Sequence, residues 1–252
     1  MVKWGVIGTG TISTAFCDSI RYSKEGKLAA VASRSSKNLK HFSDKYSVDT
    51  YDSYDALLKD SSIDAIYIGT PHNSHFDLSL KTLRSGKHLL CEKPMTMNST
   101  EAMILLNEAR GLNLFFMEAF MYRCHPLTHK MLELVKQEFS SQDVLIESSF
   151  GFTADVDEKH RLKNPELGGG SILDIGCYPL SMARLIAGTL LENSFADPIK
   201  ISASGELSSN NIDLNAKAEL DFSTNIKASI KAAINEEYEN SLRVSSGNKQ
   251  IF

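Results

Sequence analysis

The feature that most constrains this chain lies at its start. Residues 2–7 form a short apolar, strand-like run that breaks at Gly8-Thr9-Gly10-Thr11-Ile12-Ser13 and passes directly into a helical pattern over residues 12–22. Two glycines let a backbone turn sharply and approach a pyrophosphate, whose charge a helix N-terminus stabilises. The third position of the G-x-G-x-x-G pattern is Ser13, small but not glycine. By itself the pair reads equally as an ordinary glycine turn. Its place between strand and helix, at the head of a βαβ series, favours a dinucleotide loop with contacts at Gly8, Gly10, Thr11 and Ile12.

The alternation then continues. Residues 27–32, 65–68, 88–91 and 114–117 are short apolar strands; residues 38–46, a stretch capped by Ser53, residues 74–84 and a stretch from Asn98 to Gly111 are helical. Asn98 with Glu101 resembles a capping box, and Ser85-Gly86 a glycine stop. Near Tyr122 the pattern changes. After one amphipathic helix over 126–139, longer alternating runs follow at 144–153, 199–207, 212–222 and 226–235, with hairpin turns at Ser208-Ser209-Asn210-Asn211 and Ser223-Thr224-Asn225. A glycine-led helix over 168–188 separates the first of these runs from the rest.

The expected fold class is α/β: an N-terminal Rossmann dinucleotide-binding domain over residues 1–121, then a C-terminal α+β domain over 122–252 for substrate binding and oligomerisation. Its mostly antiparallel open sheet would have one face covered by helices and the other free to pair with another subunit. The closing stretch Ser246-Gly247-Asn248-Lys249-Gln250-Ile251-Phe252 looks like a turn entering another strand, so this domain is expected to be C-terminally incomplete or to survive as an oligomer.

Composition narrows the partners. A formal net charge of −4 argues against a nucleic-acid partner, and no apolar run approaches the length of a membrane span. Cys17, Cys91, Cys124 and Cys177 are widely spaced and form no C-x-x-C, so reduced, mostly buried thiols, no metal site and a cytoplasmic location are expected.

Cofactor selectivity is read at the end of the second strand, where an acid would bond a ribose 2′-hydroxyl. This chain has Ala32-Ser33-Arg34-Ser35-Ser36-Lys37 instead, with no acid. Ser33, Arg34 and Lys37 suit a 2′-phosphate, which favours NADP(H) over NAD(H); the plainer alternative is a solvated basic turn.

Four further segments carry a resemblance: Thr70-Pro71-His72-Asn73-Ser74-His75, Cys91-Glu92-Lys93-Pro94, Glu118-Ala119-Phe120-Met121-Tyr122-Arg123-Cys124-His125-Pro126 and Gly168-Gly169-Gly170-Ser171-Ile172-Leu173-Asp174-Ile175-Gly176-Cys177-Tyr178-Pro179. With the glycine loop they resemble the glucose–fructose oxidoreductase / inositol dehydrogenase / MocA family along essentially the whole chain. Tyr178 and the Glu-Ala-Phe-Met segment look most like its dihydrodiol dehydrogenases and NADP-dependent aldose dehydrogenases. A tyrosine where the inositol branch more often has histidine speaks against an inositol substrate.

The resemblance implies hydride transfer between nicotinamide and a hydroxyl-bearing carbon of a sugar, polyol or cyclic diol. Lys93, Asp174 and Tyr178 would be catalytic, and Thr70, Pro71, His72, His75, Glu92 and Lys93 would line the cofactor. It also implies that Lys93 bonds substrate oxygen or cofactor ribose, and it admits a cis Lys93–Pro94 peptide. The residues fit these roles. Asp174 and Tyr178 share one face of a helix, and a lysine charge near a phenol favours the phenolate needed for proton transfer. Read singly, Lys93 is equally a surface lysine, Asp174 a helix cap and Tyr178 a packing residue. His160 and Arg161 are placed to meet substrate hydroxyls. Two rival readings are a non-catalytic NADP-binding sensor and a glycoside-cleaving enzyme that uses bound nicotinamide transiently.

Overall fold

The computed structural model of the chain describes residues 1–139 and 143–252. It divides into two units, Met1–Ala119 and Phe120–Phe252.

In the first unit strands and helices alternate: β1 (Val2–Ile7), α1 (Thr11–Ile20), β2 (Gly26–Ala32), α2 (Ser36–Tyr46), β3 (Asp49–Tyr51), α3 (Tyr54–Lys59), β4 (Ala65–Ile68), α4 (His75–Arg84), β5 (His88–Cys91), α5 (Ser99–Gly111) and β6 (Phe116–Glu118). The six strands lie in the order β3-β2-β1-β4-β5-β6, and every pairing is parallel. Such a sheet is buried on both faces, which is why β4 is apolar at every position and buried throughout. The strand order reverses between β1 and β4, so the carboxyl ends of these strands form the crevice where open α/β sheets take ligands.

Local chemistry sets the helix ends. Ser35 accepts from the Asn38 N–H at the start of α2, and Asn98 accepts from the Glu101 N–H at the start of α5. Glu101 reaches back to the Met97 N–H at 3.2 Å. Gly86 follows α4 at φ +77°, a conformation that suits glycine. Ser53 precedes α3 without capping it. The sixth strand starts later than its apolar run, because Asn113 turns left-handed after α5.

The second unit contains α6 (Pro126–Phe139), β7 (Val144–Gly151), one π-helical turn (Ile172–Gly176) running into α7 (Cys177–Leu190), then β8 (Lys200–Leu207), β9 (Asp213–Asp221), β10 (Ile226–Ala233), β11 (Leu242–Ser246) and β12 (Lys249–Ile251). The sheet order is β12-β11-β7-β10-β9-β8, antiparallel except where β7 meets β10. Period-two alternation gives the sheet two different faces. Ile146, Leu220, Ala228 and Val244 join Val135, Phe139, Ala183 and Ile186 of the helices in one core. On the other face a cross-strand row runs Ser202, Glu219, Ser229, Glu147, Arg243, all polar.

The expected turn at Gly247-Asn248 closes a hairpin between β11 and β12; β11 and the three-residue β3 are too short or too irregular for periodicity to show. Only two of the four free cysteines are fully buried, Cys17 and Cys91, while Cys124 is exposed. Among the described residues, no helix is long and apolar enough to cross a membrane.

Candidate functional site

The glycine loop follows β1. Gly8 sits at φ +102°, and a Cβ there would meet the Gly69 carbonyl oxygen at 2.8 Å. This is a turn only glycine fits. Gly10 has open space where a Cβ would stand, and the N-terminus of α1 carries no side-chain cap and no acid in its first turn. The N–H groups of that turn thus face an open cradle of positive potential. Ser13, where the glycine pattern has its third member, is buried and donates to the Gly69 carbonyl at 3.4 Å; a Cβ on Gly69 would collide with the Ser13 hydroxyl. Close packing of helix on strand is therefore achieved with the missing Cβ at position 69 instead of 13. The residues present fit a dinucleotide pyrophosphate.

At the end of β2 the hydroxyls and the cations divide the work. Ser33 is buried, bonds Thr9 Oγ1 at 2.8 Å and accepts from the Ser35 N–H, so it ties the glycine loop to β2; Ser35 caps α2. These two serines organise the turn. Arg34 and Lys37 remain exposed, with the Arg34 guanidinium 6.0 Å from the Tyr54 ring centre.

Lys93 follows β5 at the same carboxyl edge of the sheet, and its segment is held at four points. The Glu92 N–H donates to the Ile68 carbonyl at 3.0 Å, and the Tyr67 hydroxyl donates to Glu92 Oε1 at 2.7 Å. The Pro94 carbonyl lies 2.8 Å from His75 Nδ1, and the Met95 N–H donates to Glu118 Oε1 at 2.8 Å. Tyr67 is buried and stacked on Phe16, and burial together with the Glu92 carboxylate pushes its pKa upward, so it stays a donor. The Lys93–Pro94 peptide is cis.

His75 is buried, and its second nitrogen faces the Thr70 carbonyl at 2.8 Å. Its ring bridges the Thr70 and Pro94 segments. Burial lowers its pKa, against the pull of the Pro94 and Thr70 carbonyls and of Glu92. His72 lies beside it in a single 3₁₀ turn, their ring centres 5.8 Å apart, and the Thr70 hydroxyl accepts from Ser74 Oγ at 2.7 Å.

In the second unit the glycine run has steric causes. Gly168 takes φ +73° after a short 3₁₀ turn; a Cβ on Gly169 would meet the Leu162 carbonyl oxygen at 2.7 Å; one on Gly170 would fall onto the Asp213 carboxylate. Asp174 lies in the π turn rather than in a plain α-helix, and Arg161 Nη1 donates to its Oδ1 at 2.8 Å. Asp174 is thus a buried, ion-paired carboxylate and not the cap of its helix. Tyr178 lies in the first turn of α7. Its ring is walled by Phe120, Phe150 and Tyr122 at centre distances of 5.5, 5.7 and 6.2 Å, and its hydroxyl lies 3.7 Å from Met121 Sδ. His160 is exposed and accepts from the Leu162 N–H within its own loop.

Sequence reasoning passed over Ser181, one turn beyond Tyr178. It accepts from the Tyr122 hydroxyl and Arg123 Nη2, both at 2.8 Å, and so fastens residues 120–124 to α7. Tyr122 and Arg123 stand in the sequence only as members of a longer motif, and nothing local to Ser181 marks it.

Residues 2–120 match the oxidoreductase family with NAD-binding Rossmann fold, and residues 129–249 match the GFO/IDH/MocA C-terminal domain. The chain belongs to this family. It is 37% identical over 189 residues to D-xylose 1-dehydrogenase (NADP(+)) 2 of Haloferax volcanii, covering 75% of this chain and 58% of that protein. It is 32% identical over 235 residues to the trans-1,2-dihydrobenzene-1,2-diol dehydrogenase of Xenopus tropicalis, covering 92% of this chain and 69% of that one. The chain therefore spans well under two thirds of the Haloferax protein's length. A 3-ketoreductase from Actinomadura kijaniata superposes with a TM-score of 0.85 at 24% identity, over 99% of this chain and 75% of that one, which shows a shared fold. So does the aldose-aldose oxidoreductase of Caulobacter crescentus, with a TM-score of 0.83 at 20% identity, covering 99% of this chain and 82% of that one.

Proposed function

We propose that the protein is an NADP(H)-preferring dehydrogenase acting on a CH–OH group of a sugar, polyol or cyclic diol. The observation that carries this reading is the fixing of Lys93 at the carboxyl edge of the sheet that also holds the Gly8–Gly10 cradle, through hydrogen bonds at Glu92, Pro94 and Met95. A phosphate cradle alone is a binding device; a lysine whose backbone neighbours are clamped at the cradle's sheet edge adds a reactive group with a fixed point of origin. The similar proteins of Haloferax and Xenopus, named as acting on xylose and on a dihydrodiol, support the substrate class.

The chain's residues take these roles. The α1 N-terminus with Gly8, Gly10, Thr11 and Ile12 would hold the pyrophosphate, and Ser33, Arg34 and Lys37 would hold the 2′-phosphate, Arg34 as planar fork and Lys37 as point charge. Thr70, Pro71, His72, His75 and Glu92 shape the nicotinamide end. The bound nicotinamide supplies the hydride chemistry. Lys93 polarises the substrate oxygen, Tyr178 exchanges its proton as general acid and base, and Asp174, neutralised by Arg161, orients the substrate.

The polar face of the second sheet, with Glu147, Glu219 and Arg243 in one row, is assigned to a homo-oligomer contact. The four free thiols and the net charge of −4 support a cytoplasmic protein without a nucleic-acid partner. The test is a panel of aldoses, polyols and dihydrodiols assayed with both cofactors for the absorbance of reduced nicotinamide. Turnover of at least one class with NADP⁺ is expected; tight NADP⁺ binding without turnover on any of them would replace the dehydrogenase by a sensor.

A further inference from the structure

The helix that bears Asp174 and Tyr178 does not cap itself. Ser171 precedes it with helical backbone angles and makes no capping bond of its own. Its buried hydroxyl donates instead to Asp213 Oδ2 at 2.8 Å, and the Ile172 N–H donates to the same oxygen at 2.7 Å. Asp213 is the first residue of β9 and stands 41 positions away from Ile172. Its other carboxylate oxygen lies against Gly170, where a side chain could not be accommodated.

We propose that Asp213 is a positioning residue, which sets the origin and direction of the π turn and α7 and through them Asp174 and Tyr178. The physical basis is threefold. A carboxylate at a helix N-terminus complements the partial positive charge of the unpaired N–H groups. Bonds from a hydroxyl and an N–H to a charged acceptor are short and about twice as strong as neutral ones. A π turn has no regular α-helical ladder to fix its first residues, so an external anchor decides where the helix begins. The glycine run belongs to the same device: Gly170 at φ +115° is what lets the carboxylate approach. Between β8 and β9, the Ile212 N–H donates to Ser208 Oγ and the Ser208 N–H to the Ile212 carbonyl, so the turn that presents Asp213 is itself fixed.

The inference rests on the proposed dehydrogenase reading for its kinetic consequence and on the fold alone for its structural one, and the experiment reads both. Asp213→Ala removes the acceptor, Asp213→Asn keeps one oxygen able to accept both bonds, and Ser171→Ala removes one donor. Asp213→Ala should lower kcat by about 10–10²-fold, the scale of a misplaced reacting group, with the affinity for NADP⁺ unchanged. Asp213→Asn should restore most of kcat, and Ser171→Ala should fall between. Hydrogen exchange of the amides at 172–178 should quicken in Asp213→Ala and remain near wild type in Asp213→Asn. A kcat for Asp213→Ala within twofold of wild type, or Asp213→Asn as impaired as Asp213→Ala, overturns the assignment. If Asp213→Ala does not fold, Ser171→Ala with wild-type kcat overturns it. If the wild type turns over no sugar or diol, the dehydrogenase reading fails by itself and exchange decides: unchanged protection at 172–178 in Asp213→Ala rejects the anchor, and a local loss supports it.

Discussion

Arg161 donates from Nη1 to Asp174 Oδ1 across 2.8 Å, with the carboxylate buried and the arginine nearly half exposed. Water screens one side of this pair, so its worth to stability is modest, on the order of 1 kcal/mol. Its larger effect falls on the carboxylate's direction and charge. Arg161→Ala should lower kcat/KM by about 10-fold while shifting the melting temperature little, since it is a partly exposed partner that is lost. Arg161→Lys should recover the charge but not the planar fork, and fall between the two. Steady-state kinetics beside thermal melts of both variants check this.

Arg34 and Lys37 are the exposed cations left once Ser33 and Ser35 are engaged in the turn. NADPH should therefore bind more tightly than NADH, and Arg34→Asp should reverse or erase the preference by placing an anion at the position proposed for the 2′-phosphate. Fluorescence titration with both cofactors reads it; equal affinities, unaffected by Arg34→Asp, would contradict the assignment.

The buried His75 ring has a pKa held below its ordinary value by burial, although the Pro94 and Thr70 carbonyls and Glu92 pull the other way and Lys93 adds to the depression. Below about pH 6.5 the unfolded chain binds a proton here that the folded chain resists. Stability should thus fall as pH drops from that value through the folded-state pKa, with a slope of up to about 1.4 kcal/mol per pH unit for the one proton. Urea unfolding of wild type and His75→Asn across this window should show the slope in the first and its absence in the second.

Lys87 is buried, and its ammonium donates to the carbonyls of Asp60 and Ile63 at 2.6 and 2.8 Å. Burial lowers its pKa, but both bonds bind the turn that feeds β4. Lys87→Met keeps the stem but removes the donor to the Ile63 carbonyl and leaves the Asp60 carbonyl with the Ile63 N–H at 3.3 Å, and should destabilise the first unit by about 1–3 kcal/mol without altering cofactor selectivity. Chemical denaturation with a cofactor titration on the same sample separates the two effects.

What the sequence made legible was local. A glycine turn, a capping asparagine and period-two strands report themselves within a few residues, so the glycine loop, the Asn98 cap and the hairpins of the second sheet could be placed in advance. The family resemblance supplied Lys93, Asp174 and Tyr178 as candidates. Partners could not be read. The bonds of Ser33 to Thr9 and to the Ser35 N–H were not visible, because a hydroxyl's partners depend on how the turn closes. Asp174 offered itself as a cap because the true cap, Asp213, comes from a distant strand. Tyr67 and Glu118, which hold the Lys93 segment, read as ordinary strand residues until the sheet brings them beside it.

Proton transfer is assigned to Tyr178, ringed by Phe120, Phe150 and Tyr122 and carried on the helix whose Ile172 N–H donates to Asp213. The most direct measurement is the turnover of Tyr178→Phe on the best substrate of the aldose and dihydrodiol panel. The ring and its packing survive this change while the exchangeable proton is lost. The expected result is a fall in kcat of about 10²–10⁴-fold with NADP⁺ affinity nearly intact, the usual contribution of a positioned acid and base. Near-normal turnover would contradict the account and move proton transfer to another residue, His72 first.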